Sequence, residues 1–280
     1  DKAFVEEQER NFSAATAAAG NAANRQRIAQ ARYPLKTLAH FLDMRAAWSE
    51  FDFAAVRRHF DLAMAGIHEV GEQSILFGNR RGKTYFGGYE SFVDSANRYS
   101  SGAYKIVHRI PNRLKTAFDI NNLGAVNRFW GSRIDDSNFV TTETFMSTWD
   151  AQGLSGFQQG SVWYRLRFTL DEPLPTDGNG IGLFIGGADN RLAVWCNDTF
   201  IARSGAGLRR PTVFDLTEAI NPSGTNLLAI QVTRQGTWEL FTGGIMLPGF
   251  VFSGPRVEQP ADTNPPYRIL PGGAVEAVNP

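Results

Sequence analysis

Residues 161–170 read Ser161-Val162-Trp163-Tyr164-Arg165-Leu166-Arg167-Phe168-Thr169-Leu170. Val162, Tyr164, Leu166, Phe168 and Leu170 alternate with Trp163, Arg165, Arg167 and Thr169, so an extended chain would present two unlike faces. The same period of two continues on the C-terminal side. Residues 181–186, 192–196, 199–203, 212–216, 227–233 and 245–252 are further candidate strands. Turn signals separate them: Asp177-Gly178-Asn179-Gly180, Asn197-Asp198 and Asn221-Pro222-Ser223-Gly224. Many short strands without long helices between them predict an antiparallel β-sandwich or jelly roll over residues 105–258.

Upstream the period is helical. Val5, Phe12 and the Ala-rich run 14–19 suggest a first helix closed by Gly20. Ile28, Ala31, Leu35, Leu38 and Leu42 form a face that needs a partner helix, with Pro34 predicting a kink or a fresh start. Asp52 is a good N-cap for a third helix carrying Phe53, Val56, Phe60, Ala63, Met64 and Ile67. A glycine-marked loop precedes a short fourth helix with Tyr89, Phe92, Val93 and Ala96. Residues 1–104 therefore read as a small antiparallel helical bundle, and the fold class is α + β in separate domains. Residues 259–280 hold five prolines and show no period, which predicts an extended tail.

Composition narrows the function. The chain has 280 residues, with 28 basic and 28 acidic side chains, and this balance argues against a general nucleic-acid binder. The single cysteine, Cys196, rules out an internal disulfide and a Cys-rich zinc site. No apolar run approaches the roughly 20 residues that cross a bilayer. The sequence starts at Asp1, with Phe4 and Val5 already on one helical stripe, which reads as a processed chain or a segment of something longer.

A series of phrases in the β-half carries a resemblance. Phe118-Asp119 precedes Gly124, Trp130 and Asp135-Asp136-Ser137; then come Trp149, Gln152-Gly153, Gly160 and the strand Val162 to Phe168. Gly186-Gly187-Ala188-Asp189, Ala193-Val194-Trp195-Cys196-Asn197 and Phe214-Asp215-Leu216-Thr217 follow, before Asn226-Leu227-Leu228-Ala229-Ile230. In that order they resemble the sugar-binding jelly-roll domain of glycoside hydrolase family 2, a galactose-binding-like sandwich, from about residue 109 to 254. Two departures stand out: Asn138-Phe139 where Trp usually follows the acidic-Ser phrase, and Asn197-Asp198 where Asn-Gly is usual. The helical half, from Ala31-Arg32-Tyr33-Pro34-Leu35 onward, looks like the region following the catalytic barrel in some large bacterial glycosidases. The resemblance implies the C-terminal part of a secreted or periplasmic carbohydrate-active enzyme, with the catalytic domain of the same parent protein and a carbohydrate as partners.

Glycoside hydrolysis uses two carboxyl groups across the scissile bond. Glu143, Asp150, Asp189 and Glu239 are available, but they read as turn or solvated groups, and the resemblance implies that catalysis belongs to the barrel. No catalytic residue is expected here. His40, His59, His68 and His108 show no metal-binding spacing, and His68-Glu69 lacks a second histidine one helical step on. No cofactor is expected; Asp135, Asp136, Asp177 and Asp189 offer the oxygens a structural calcium takes, without an EF-hand spacing. Cys196 alternates with Val194 and reads as a buried small hydrophobe.

Sugars present apolar C–H faces ringed by hydroxyls, so their sites pair an aromatic ring with hydrogen-bonding groups. Trp149 with Asp150 and Gln152, and Trp238 with Glu239, have that composition, with Asp189 as a further candidate. Trp130, Trp163 and Trp195 read either as ligand platforms or as core with arginines stacked on them. Accessory domain of a glycosidase, free-standing carbohydrate-binding module and structural interaction module all remain open on the sequence.

Overall fold

The first helix begins where the first side chain allows it: the Asp1 carboxylate accepts the Phe4 N–H at 2.8 Å and opens α1 (Lys2–Ala18). Asn21 does the same for Asn24 N–H and opens α2 (Ala22–Glu50). Phe51 then takes a left-handed φ of 57°, and Asp52 accepts the Ala55 N–H at 2.9 Å to start α3 (Phe53–Gln73). A fourth helix, α4, spans Glu90–Ser100. The computed structural model describes all residues except 74–85, 146, 155–159, 172–178, 190, 206–209, 235–242 and 279–280. Among the described residues, no helix is long and apolar enough to cross a membrane.

Pro34 lies inside α2 and does not interrupt it. It costs one backbone hydrogen bond, while Leu35, Met44 and Trp48 beyond it are buried and hold the helix to its neighbours. The pairs Lys2–Asp43 and Glu9–Arg32 set α1 antiparallel to α2. Asp43 near His59, and Thr37 against Gly66, set α3 antiparallel to α2. Trp48 packs on Tyr89 and edge-on to Phe92 at 5.5 and 5.7 Å between ring centroids, which seats α4 on the bundle.

The chain divides into two compact units, Asp1–Asn97 and Arg98–Pro280. In the second, β1 (Lys105–Arg109), β10 (Ile245–Gly254), β5 (Gly180–Ala188) and β8 (Thr212–Asp215) form one sheet in that order. The other sheet has six strands. Its order is β3 (Val140–Glu143), β2 (Arg113–Asp119), β4 (Gly160–Phe168), β9 (Asn226–Arg234), β6 (Arg191–Cys196) and β7 (Thr199–Gly205). Every pairing in both sheets is antiparallel. The fold is thus α + β with a β-sandwich. Val162, Tyr164 and Phe168 of β4 meet Leu183 and Ile185 of β5 and Val251 of β10 in the inter-sheet core, as the alternation at 161–170 requires.

The opposite face of the six-stranded sheet is also covered over part of its area. Trp163, Trp195 and Trp130 form a second buried cluster with Ala125, Ala193 and Tyr267. Tyr267 stacks on Trp130 with centroids 5.1 Å apart and planes within 7°. It reaches there from a short hairpin, β11 (Tyr267–Ile269) and β12 (Val275–Ala277). Residues 259–280, expected as an extended tail, therefore contain a paired element. The absence of an apolar period hid one anchoring ring.

Candidate functional site

Where the aromatic cover stops, the same sheet face opens into a cleft of about 640 Å³. Register explains its floor. Thr233 on β9 stands between Ser161 on β4 and Arg191 on β6, and Gln231 stands between Trp163 and Ala193. These positions share one face because side chains alternate along each strand. Ser161 Oγ bonds Asn122 Oδ1 at 2.7 Å and Thr233 Oγ1 at 3.1 Å, and Gln231 Nε2 donates to Ser161 Oγ at 3.0 Å. At the rim, Arg203 pairs with Asp262 at 3.0 Å. The Arg203 N–H also donates to the Asp262 carbonyl at 2.7 Å.

This is a preorganised set of hydroxyl, amide and guanidinium groups, suited to a ligand rich in hydroxyls. Among the described lining residues, Asp262 is the one carboxylate, and it is already paired. Sequence reading missed this floor because Ser161, Arg191, Gln231 and Thr233 come from three strands and no local spacing links them.

The residues singled out from sequence fall elsewhere. Trp149 is only 4% exposed; it packs edge-on against Phe118 in the inter-sheet core, so its ring faces are taken by protein. Asp150 and Gln152 lie in a short 3-10 turn, Asp150–Gln152. Gln152 braces the edge of β3, accepting the Glu143 N–H at 2.7 Å and donating to the Glu143 carbonyl at 2.9 Å. Asp189 is buried just after β5, and its N–H donates to the Gly244 carbonyl at 2.8 Å. Gly244 needs its φ of +70° and its missing Cβ, because Tyr164 Oη and Trp149 occupy that space. Trp149, Tyr164 and Asp189 thus gather about Gly243-Gly244, and burial pushes the Tyr164 hydroxyl pKa far up. Trp238, Glu239 and Asp177 lie outside the described residues.

The phrases that carried the family resemblance form a structural knot. Asp119 accepts from Leu123 N, Gly124 N and Trp163 Nε1 at 2.8, 2.7 and 3.0 Å. A Cβ on Gly124 would stand 2.2 Å from Trp163 Nε1, so only glycine fits there. Asp136 pairs with Arg165, while Asp135 caps the Ser137 N–H, whose hydrogen bonding holds the Asp135 carboxyl below its usual pKa. Asn197 and Asp198 both take left-handed φ values, 49° and 68°. Asp198 offsets that strain by accepting the Ser132 N–H and hydroxyl, bonds that a glycine could not make.

Cys196 is fully buried, and burial pushes its thiol up to about 12. Native protein at pH 8 is expected not to react with Ellman's reagent, and denatured protein to react with one equivalent. Between about 9 and about 12 the unfolded thiol is ionised and the folded one is not. Stability should therefore fall as pH rises through that window, by up to about 1.4 kcal/mol per pH unit from this group. Rapid native labelling at pH 8 would contradict its burial.

No curated protein matches the chain. Solved structures of similar shape include the Ruminococcus gnavus beta-glucuronidase, at 16% identity and a TM-score of 0.45, covering 56% of this chain and 29% of that one. A Ruminococcus gnavus beta-glucuronidase in complex with uronic isofagomine gives 16% identity and 0.46, over 56% and 29% of the two chains. A beta-glucuronidase from an uncultured Clostridium sp. gives 18% and 0.45, over 56% and 30%. The chain thus spans less than a third of each of these proteins. Residues 135–237, a little over a third of this chain, match the family model described as the beta-galactosidase second all-beta domain.

Proposed function

We propose that this chain is an accessory part of a family 2 type glycoside hydrolase, in which the sandwich binds or orients carbohydrate and the helical bundle buttresses a catalytic barrel carried elsewhere. One observation carries the reading. The stretch that matches the beta-galactosidase domain, 135–237, contains the polar cleft floor of Ser161, Arg191, Gln231 and Thr233. A sugar laid on that floor would meet Ser161, Gln231 and Thr233 groups already held by one another, so little of their side-chain entropy is lost on binding. Trp238 and Glu239 remain candidates for further contacts, with Trp238 the indole that could supply a stacking face. The contribution to catalysis would be binding energy and orientation rather than bond cleavage.

Calorimetric titration of the chain with a panel of oligosaccharides tests this. Saturable binding is expected, and the double variant Gln231→Ala/Thr233→Ala should weaken it at least about tenfold, the worth of two modest hydrogen bonds. Absence of binding at millimolar sugar would remove the carbohydrate role. Turnover of aryl glycosides by this chain alone would overturn the accessory role.

A further inference from the structure

His40 and Asp43 stand one turn apart on α2, and His59 faces them from α3. One donor atom from each lies within 4.8 Å of the other two, the one such group of histidine, cysteine or acidic ligands among the described residues. The imidazole centroids are 5.8 Å apart with planes tilted by 39°. Both Nδ1 atoms are buried and have no hydrogen-bond partner among the described residues. Asp43 gives Oδ1 to Lys2 at 2.8 Å, whereas its Oδ2 stands 3.9 Å from His59 Nδ1, beyond hydrogen-bond range. Two buried, unsatisfied ring nitrogens, that of His59 beside a carboxylate oxygen, are costly unless something joins them.

We propose that His40, Asp43 and His59 hold a zinc-type divalent transition-metal ion that staples α2 to α3. Two imidazoles and one carboxylate suit zinc, cobalt or nickel; magnesium and calcium prefer all-oxygen sets. Burial, and then the neighbouring His59, lower the His40 pKa. Zinc–ligand bonds of about 2.0–2.1 Å put tetrahedral ligand atoms about 3.4 Å apart, so the trio must close by about 1 Å. All three side chains are part-exposed and can do so by χ rotation. Lys36 and Lys2 are the cations that oppose the ion; Lys2 is largely exposed and can swing into water. The fourth position is left to water. The inference is independent of the carbohydrate reading.

Cobalt(II) titration of the chelator-stripped full chain should give a visible d–d band that saturates at one equivalent and is lost on adding zinc. The thermal midpoint should rise by about 5 °C at saturating zinc. His40→Ala and His59→Ala should each weaken cobalt binding at least tenfold, and His68→Ala, an exposed histidine of α3 outside the trio, should leave it unchanged. Should a variant fail to fold, two-bond 15N–1H spectra of the wild-type chain identify the metal-bound imidazoles directly as His40 and His59. No saturable band, equal affinity in all variants, or shifts at other histidines would overturn the site.

Discussion

Trp163→Ala is expected to lower the unfolding free energy of the Arg98–Pro280 unit by about 4 kcal/mol, read as a shift in the urea midpoint by far-UV circular dichroism. The indole is fully buried on the outer face of β4, tilted against Trp195 at 5.0 Å and edge-on to Phe129 at 6.1 Å. Truncating such a ring typically costs about 3–5 kcal/mol, because the transfer term is joined by the cavity left behind. Here two further effects add. Asp119 loses the Trp163 Nε1 donor while keeping two backbone N–H groups, and Gly124 loses the surface against which its backbone is laid. Trp163→Phe keeps most of the area and removes the polar contact, so about half the loss is expected. If Trp163→Ala cost under about 1 kcal/mol, the outer cluster would be open to solvent, and the docking of Tyr267 on it would be wrong.

That experiment bears on what the sequence could and could not disclose. The period at 161–170 was enough for the sandwich, because Val162, Tyr164 and Phe168 need a common apolar side. It could not say what happens to Trp163 and Arg165, since large amphipathic residues read alike whether they cover a sheet or contact a ligand. The answer depends on residues far away in sequence: the Trp130 loop on one side and Tyr267 on the other. The cleft floor was illegible for the same reason, its members being neighbours only through the β4–β9–β6 register. Trp149 misled in the opposite direction. Its neighbours Asp150 and Gln152 gave it the look of a wet loop, yet the turn folds inward and Gln152 spends its amide on the β3 backbone. His40, Asp43 and His59 escaped because a helix hairpin, not a spacing, brings them together.

Arg165→Met should destabilise the same unit by about 3–5 kcal/mol. The Arg165 side chain is 1% exposed. Its Nε donates to Asp136 Oδ2 at 2.8 Å, and its Nη atoms donate to the carbonyls of Gly131, Phe129 and Ile134. One guanidinium thus ties the loop after β2 to the outer face of β4, and the guanidinium also lies over the Phe139 ring. Methionine keeps the stem volume but takes the Arg165 donors from one carboxylate and three carbonyls, of which Gly131 keeps the Ile134 N–H, and this penalty exceeds the worth of the ion pair itself. The double variant Arg165→Met/Asp136→Leu separates the two contributions. Removing the orphaned carboxylate should recover about 1–3 kcal/mol relative to Arg165→Met alone. Limited proteolysis gives a second readout, since the freed loop over residues 120–139 should be cut faster in Arg165→Met than in wild type while the strands stay protected. Equal stability of the single and double variants would mean that Asp136 is solvated independently of Arg165, and that the acidic-Ser phrase does not work through this buried pair.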